Sequence, residues 1–185
     1  TMSSIINKSV NHFSVEETLQ SISKSAIEGA RGNSGVIMAE YLNGLYLHSR
    51  NFITLTEKEF FLLFSHAYKA ALNAVEKPVD GSILTVMKDF SDCLLHNINH
   101  ERHFIQSFDK AYHQALKSLK ETQEKMKVLK DAGVVDSGAK GFVSFIEGIY
   151  EYFKNGKKYF EVSTKIIPSI DDHHTNNYVE STIEY

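Results

Sequence analysis

The chain is expected to be all-α, an antiparallel helical bundle or barrel with about seven helices. Three observations lead there. Apolar residues recur at three-to-four-residue spacing through most of the first 155 residues. Only 2 prolines occur in 185 residues, which leaves room for long uninterrupted helices. Two helix-entry signatures, Ser14 with Glu17 and Thr56 with Glu59, stand just ahead of apolar-periodic stretches. A hydrophobic content of 42% at this length suits one domain with a sizeable core and hardly two.

Taken in order, a first helix is expected over roughly residues 2–11, with Met2, Ile5, Ile6 and Val10 inward. Ser14 opens a second, striped by Leu19, Ile22, Ala26 and Ile27, with Gly29 and Gly32 flanking its end. A third follows Gly35 and carries Val36, Ile37, Leu42, Leu45 and Tyr46. Thr56 opens a fourth, with Phe60, Leu63, Phe64, Ala67, Tyr68, Ala71 and Val75, which stops ahead of Pro78. A fifth starts at Gly81 and Ser82 and carries Ile83, Val86, Phe90, Leu94 and Leu95. A sixth runs from about Phe104 to Met126, and a last from about Gly138 to Phe153. The aromatic stripes Phe60/Phe64/Tyr68 and Phe142/Phe145/Tyr150 read as core. Residues 156–185 turn polar, and read as a linker or tail toward a following domain.

Bulk properties exclude several functions. The formal charge is -3 and the basic residues are scattered among acidic ones, so no stripe for nucleic acid is formed. No apolar run reaches the length of a membrane span. The single cysteine, Cys93, rules out an internal disulfide and points to a cytoplasmic setting. Its neighbours Phe90, Leu94 and Leu95 favour a core thiol over a nucleophile. His96, His100 and His103 share a neighbourhood, but no further ligand completes a metal set, and solvated histidines are the better reading. Asp171-Asp172-His173-His174 is read equally well as a metal grip or as polar tail.

Three short segments remain: Arg31-Gly32-Asn33-Ser34-Gly35, Pro78-Val79-Asp80-Gly81-Ser82 and Val135-Asp136-Ser137-Gly138-Ala139. Each precedes a helix and offers glycine, a hydroxyl and backbone N–H groups. A helix N-terminus has unpaired N–H groups and partial positive charge, which favour phosphate oxygens. Any one of them alone is more readily a helix cap, Ser82 and Asp136 included. Two helices separate the first from the second, and two the second from the third. An even number of antiparallel helices returns the chain to the end it left, so all three belong on one rim, with Thr1 beside them. Pattern alone yields an anion or nucleotide site. Arg31 is read equally as a phosphate contact, a partner contact or half of a salt bridge.

The wording around these segments is more specific. Gly29-Ala30-Arg31-Gly32-Asn33-Ser34-Gly35-Val36-Ile37, Lys77-Pro78-Val79-Asp80-Gly81-Ser82-Ile83-Leu84-Thr85-Val86 and Leu129-Lys130-Asp131-Ala132-Gly133-Val134-Val135-Asp136-Ser137-Gly138-Ala139-Lys140-Gly141 resemble the N-terminal kinase domain of bacterial fatty acid kinases. That domain is homologous to the ATP-binding L domain of dihydroxyacetone kinases. The resemblance covers about residues 1–155 and implies an eight-helix antiparallel barrel with nucleotide at one end. It implies nucleotide-binding roles for Thr1, Asn33, Ser34, Gly35, Gly81, Ser82, Thr85, Asp136, Ser137 and Gly138, with ATP or ADP as the ligand. It also implies Mg2+ held by aspartates of an upstream loop reading Asp-Gly-Asp-Thr-Gly-Thr-Asn-Met. Thr1-Met2 resembles the end of that loop, with Thr1 in place of Asn, so the metal ligands are expected ahead of this chain. On this reading residues 1–155 form the kinase domain without its first helix and metal loop. Either the chain is an internal fragment, or it is a divergent homologue without a metal site.

The implied reaction is phosphorylation of the carboxylate of a fatty acid held on a separate carrier protein. No catalytic residue and no metal ligand within the chain is assigned, and this chain alone is expected to be inactive. Full-length proteins of this kind are expected to dimerise, if at all, through their other domains. Two alternatives stay open: an L subunit of the dihydroxyacetone kinase type, and a non-catalytic helical interaction module.

Overall fold

A computed structural model of the chain describes residues 1–98 and 104–155. Among them there are eight helices and no strands: α1 (Met2–Lys8), α2 (Val15–Glu28), α3 (Gly32–His48), α4 (Glu57–Asn73), α5 (Ile83–Asn97), α6 (Phe104–Lys125), α7 (Lys127–Ala132) and α8 (Ser137–Asn155). Successive long helices pack side by side, α2 on α3, α3 on α4, α4 on α5 and α5 on α6, while α8 returns against α6 and α5. The all-α expectation holds.

The entry signals act as expected. Ser14 Oγ accepts from Glu17 N at 3.1 Å. Thr56 and Glu59 form a complete capping box, with Glu59 N donating to Thr56 Oγ1 at 3.3 Å and Thr56 N donating to Glu59 Oε2 at 2.7 Å. The core is aromatic at its centre. Tyr41, Phe90, Phe108 and Phe142 are fully enclosed, and Phe142 meets Tyr41 and Phe90 edge-on at 5.2 and 5.9 Å. Tyr68 and Phe145 pack against this core from a half-buried position, as the aromatic stripes require.

Three expectations need correcting. First, the helix count is eight, not about seven, because α7 separates α6 from α8. Its six residues show no readable periodicity, and Met126 at φ -115° and ψ 114° breaks the helix before it. Gly133 ends it at φ 69°, a left-handed conformation that glycine adopts cheaply. Secondly, α1 stops at Lys8, and of its expected inward residues only Ile5 packs on the core. Met2, Ile6 and Val10 are exposed, Ile6 at 75%. The cause is the close crossing of α1 on α2. Gly29 sits so near Ser4 that an added Cβ would lie 2.2 Å from Ser4 Cβ. Val10 then leaves helix geometry and gives its N–H to Ser21 Oγ at 2.8 Å. Thirdly, Ile27 in the expected α2 stripe is half exposed.

One end of the bundle is packed by rings. Phe60, Phe61, Phe104, Phe108 and Phe153 meet there with centroid separations from 4.7 to 6.2 Å. Beside them lies an apolar cleft of about 520 Å³, walled in part by Phe13, Leu19, Leu45, Leu63 and Ile149. Phe13 at its mouth is 93% exposed. The reading of residues 156–185 as a tail, and the positions of His100 and His103, lie outside the described residues.

Candidate functional site

The opposite end carries the three motif segments. The first is not a loop ahead of a helix, as expected, but the first turn of α3. Asn33, Ser34 and Gly35 follow its initial residue Gly32, which has φ 64°. Arg31 at the N-cap has no side-chain capping bond. It lies instead across the end of α2, where its Nη1 donates to the carbonyls of Ala30 at 2.6 Å and Glu28 at 3.3 Å. A cation there suits the negative end of the α2 dipole, so the arginine meets carbonyls rather than a carboxylate. The first N–H groups of α3 are those that a helix cannot satisfy internally, and both Asn33 and Ser34 are exposed.

The second segment turns on Gly81, at φ 80°. An added Cβ there would lie 2.7 Å from Lys125 Cβ, so glycine is required for space as well as for φ. Asp80 Oδ1 accepts from Gly81 N at 2.9 Å, Thr85 Oγ1 at 3.0 Å and Lys125 Nζ at 3.3 Å. The Thr85 hydroxyl, then Lys125, hold the Asp80 carboxyl below the usual carboxylate range. Thr85 Oγ1 itself accepts from Gly81 N at 2.9 Å, so Thr85 braces the turn from one helical turn inside α5. Ser82 stands at the N-cap of α5 without capping it, and its Oγ donates to Val79 O at 2.7 Å.

In the third segment Asp136 is a helix cap: its Oδ2 accepts from Ala139 N at 2.7 Å. Asp136 N donates to Thr122 Oγ1 at 3.0 Å, fixing the segment to the end of α6. Ser137 is exposed, and Gly138 backs onto α3. A Cβ on Gly138 would lie 2.5 Å from Ser34 Oγ and 2.9 Å from Ser34 Cβ. Thr1 completes the rim, its Oγ1 donating to Gly35 O at 3.4 Å.

The four regions are thus linked in space, Thr1 to Gly35, Ser34 to Gly138, Asp136 to Thr122, and Lys125 to Asp80. Counting helices strictly would now mislead, because three lie between the second and third segments. The parity survives because α6 spans about 33 Å and α7 only about 9 Å, too little to cross the bundle. Sequence reasoning missed Thr122 and Lys125. They belong to no glycine motif, and Lys125 reads as an ordinary surface charge.

Other candidates fall away from this rim. No group of three or more His, Cys, Asp or Glu is placed to hold a metal among the described residues. Cys93 is half-buried, burial raises its thiol pKa, and Asn97 Nδ2 donates to its sulfur at 3.5 Å. No described helix is long and apolar enough to cross a membrane.

The family described as the DAK2 domain matches residues 1–151. Uncharacterized proteins of Staphylococcus aureus, from strains USA300, N315 and bovine RF122, are 34% identical over 143 residues. The match covers 77% of this chain and 26% of those relatives, so the chain spans about a quarter of their length. The three motifs, the all-helical fold and a match over most of the described residues agree, and the chain belongs to the DAK2 domain family.

Proposed function

We propose that this domain is the ATP-binding part of a kinase that phosphorylates the carboxylate of a fatty acid presented by a separate carrier protein in the cytoplasm. The observation that carries the reading is the meeting of three motif segments and Thr1 at one rim, where α3, α5 and α8 begin. A phosphate chain is recognised by N–H groups at helix starts, by hydroxyls and by glycines that admit close approach. Asn33, Ser34 and Gly35 supply these on α3, Gly81 and Ser82 at α5, and Ser137 and Gly138 at α8. Asp136 and Thr85 are already engaged inside the protein and hold the rim in shape. In this assignment Thr1 borders the phosphates beside the α3 start.

The reaction moves the γ-phosphoryl group from ATP to a carboxylate oxygen, leaving ADP and an acyl phosphate. It needs positioning and charge neutralisation rather than a protein nucleophile, so no residue of this chain is assigned a catalytic role. Magnesium, when bound, would supply positive charge to offset that of the phosphates. The rim carboxylates Asp80 and Asp136 are tied into hydrogen bonds of their own and form no metal set with other described residues. No metal ligand is assigned among the described residues.

The test is calorimetric titration of ADP and ATP, with magnesium, into the protein translated from the whole open reading frame that contains these residues. Micromolar binding is expected, and no binding would overturn the reading. Phosphoryl transfer to a fatty-acid-loaded carrier, against transfer to dihydroxyacetone, then separates the two acceptor classes. Binding without transfer to either favours an interaction module.

A further inference from the structure

We infer that the last turn of α6 is a strut that sets the spacing of the second and third motif segments, with Thr122 and Lys125 as its positioning residues. The inference rests on the nucleotide reading above, and names residues that the motifs do not contain.

Thr122 is fully buried, and its hydroxyl is used in both directions. It donates to Leu119 O at 2.7 Å and accepts from Asp136 N at 3.0 Å. Three residues further, Lys125 reaches the other segment, its Nζ lying 3.3 Å from Asp80 Oδ1. The stem of the same lysine walls the turn, since its Cβ and Met126 Cγ are the atoms that a side chain at residue 81 would strike, at 2.7 and 3.2 Å. The last turn of α6 therefore holds Asp136 and Asp80–Gly81 at a fixed separation. Met126 then ends α6 and starts the short α7, which carries the chain from the strut to Asp136. This gives α7 a purpose: it lets the third segment return to the end of the helix that supports it.

Lys125 has a second, electrostatic effect. A carboxylate at a phosphate-binding rim repels its ligand. Asp80 is held in place by Gly81 N and Thr85, and its charge is countered by the Lys125 ammonium. Removing the ammonium leaves that negative charge facing the phosphates through water, where salt can screen it.

The experiment uses Mg-ADP titration and thermal melting of the protein from the whole open reading frame, in four variants. Thr122→Val keeps the shape and removes the hydroxyl, and Thr122→Ser restores it. Lys125→Met keeps the stem and removes the charge, and Lys125→Arg restores it. The Val and Met variants are expected to bind ADP about tenfold more weakly, the scale of one lost hydrogen bond to a placed group. The Ser and Arg variants are expected to stay close to the parent, and the Lys125→Met defect to shrink at high salt relative to the parent. Parent-like ADP binding by both Thr122→Val and Lys125→Met would overturn the inference, whatever happens to Tm, because the strut would then be structural only. Absence of binding by the parent itself would overturn the nucleotide reading and this inference with it, and is distinguishable because no variant is needed to see it.

Discussion

The two ends of the bundle are built on opposite terms. At one end, phenylalanine rings from α4, α6 and α8 fill the space and an apolar cleft opens beside them. At the other end, glycine removes side chains from the contacts, so that the starts of α3 and α8 approach each other and the Gly81 turn lies against the end of α6. The hydrophobic burial of rings is non-directional and tolerates approximate shape. The rim depends on a few atoms at fixed distances, Gly138 on Ser34 and Gly81 on Lys125. Stability is therefore expected to reside mainly at the aromatic end and ligand recognition at the rim.

Separate substitutions test that division. The largest effect is expected at the aromatic end. Phe108 is fully buried among Phe60, Phe64, Phe90, Phe104 and Phe153. Phe108→Ala should cost about 3–5 kcal/mol of stability, measured by urea unfolding, with ADP affinity unchanged in the protein that remains folded. A parallel loss of affinity would show that the two ends are not independent.

Next comes the rim. Gly138→Val places a branched side chain against Ser34 and should cost about 1–3 kcal/mol by overpacking. Here ADP binding should fall at least tenfold, because the starts of α3 and α8 are forced apart. Normal affinity in this variant would break the comparison, since close approach at the rim would then serve packing alone.

A smaller effect is expected at the start of α4, where Thr56→Ala removes the capping box. The cost should be about 1 kcal/mol, and ADP binding should not change. The smallest is a pH effect at a histidine pair between α3 and α4. His66 stacks on His48 with ring centroids 4.0 Å apart and an interplanar angle of 6°. Burial first, then the His48 and Lys69 charges, lower its pKa below the usual 6.5. The folded state therefore favours the neutral ring. Its stabilising contribution is present above pH 6.5 and is lost as pH falls through the lowered folded-state value. Melting of His66→Gln against the parent between pH 5 and 7.5 reads this directly. The parent should lose more stability on acidification, and equal slopes would show that the stack does not titrate with folding.

Much of this division was legible in the sequence, for reasons that differ by element. Capping boxes are local, since Thr56 and Glu59 need only each other, and they marked the α4 start to the residue. Long amphipathic helices such as α6 declare themselves by repetition. Short elements do not, and α7 has too few turns to show a period. The exposure of Ile6 was not legible, because it depends on how closely Ser4 approaches Gly29 across two helices. Asp136 shows a further limit. Its segment reads both as a site and as a helix cap; its carboxylate does cap α8, while the hold of Thr122 on its N–H was not legible. Motifs built from glycine and hydroxyl residues reveal where a rim lies. The residues that brace it, Thr122 and Lys125, carry no such signature.

The central claim is that the rim formed by the starts of α3, α5 and α8 receives the nucleotide. The most direct measurement is a titration of Mg-ADP into the isotope-labelled protein, followed by the backbone amide resonances. The largest shifts are expected at Asn33, Ser34, Gly81, Ser82, Ser137 and Gly138, with the amides around Phe60 and Phe108 unmoved. Saturable shifts confined to the aromatic end, or none at all, would contradict it.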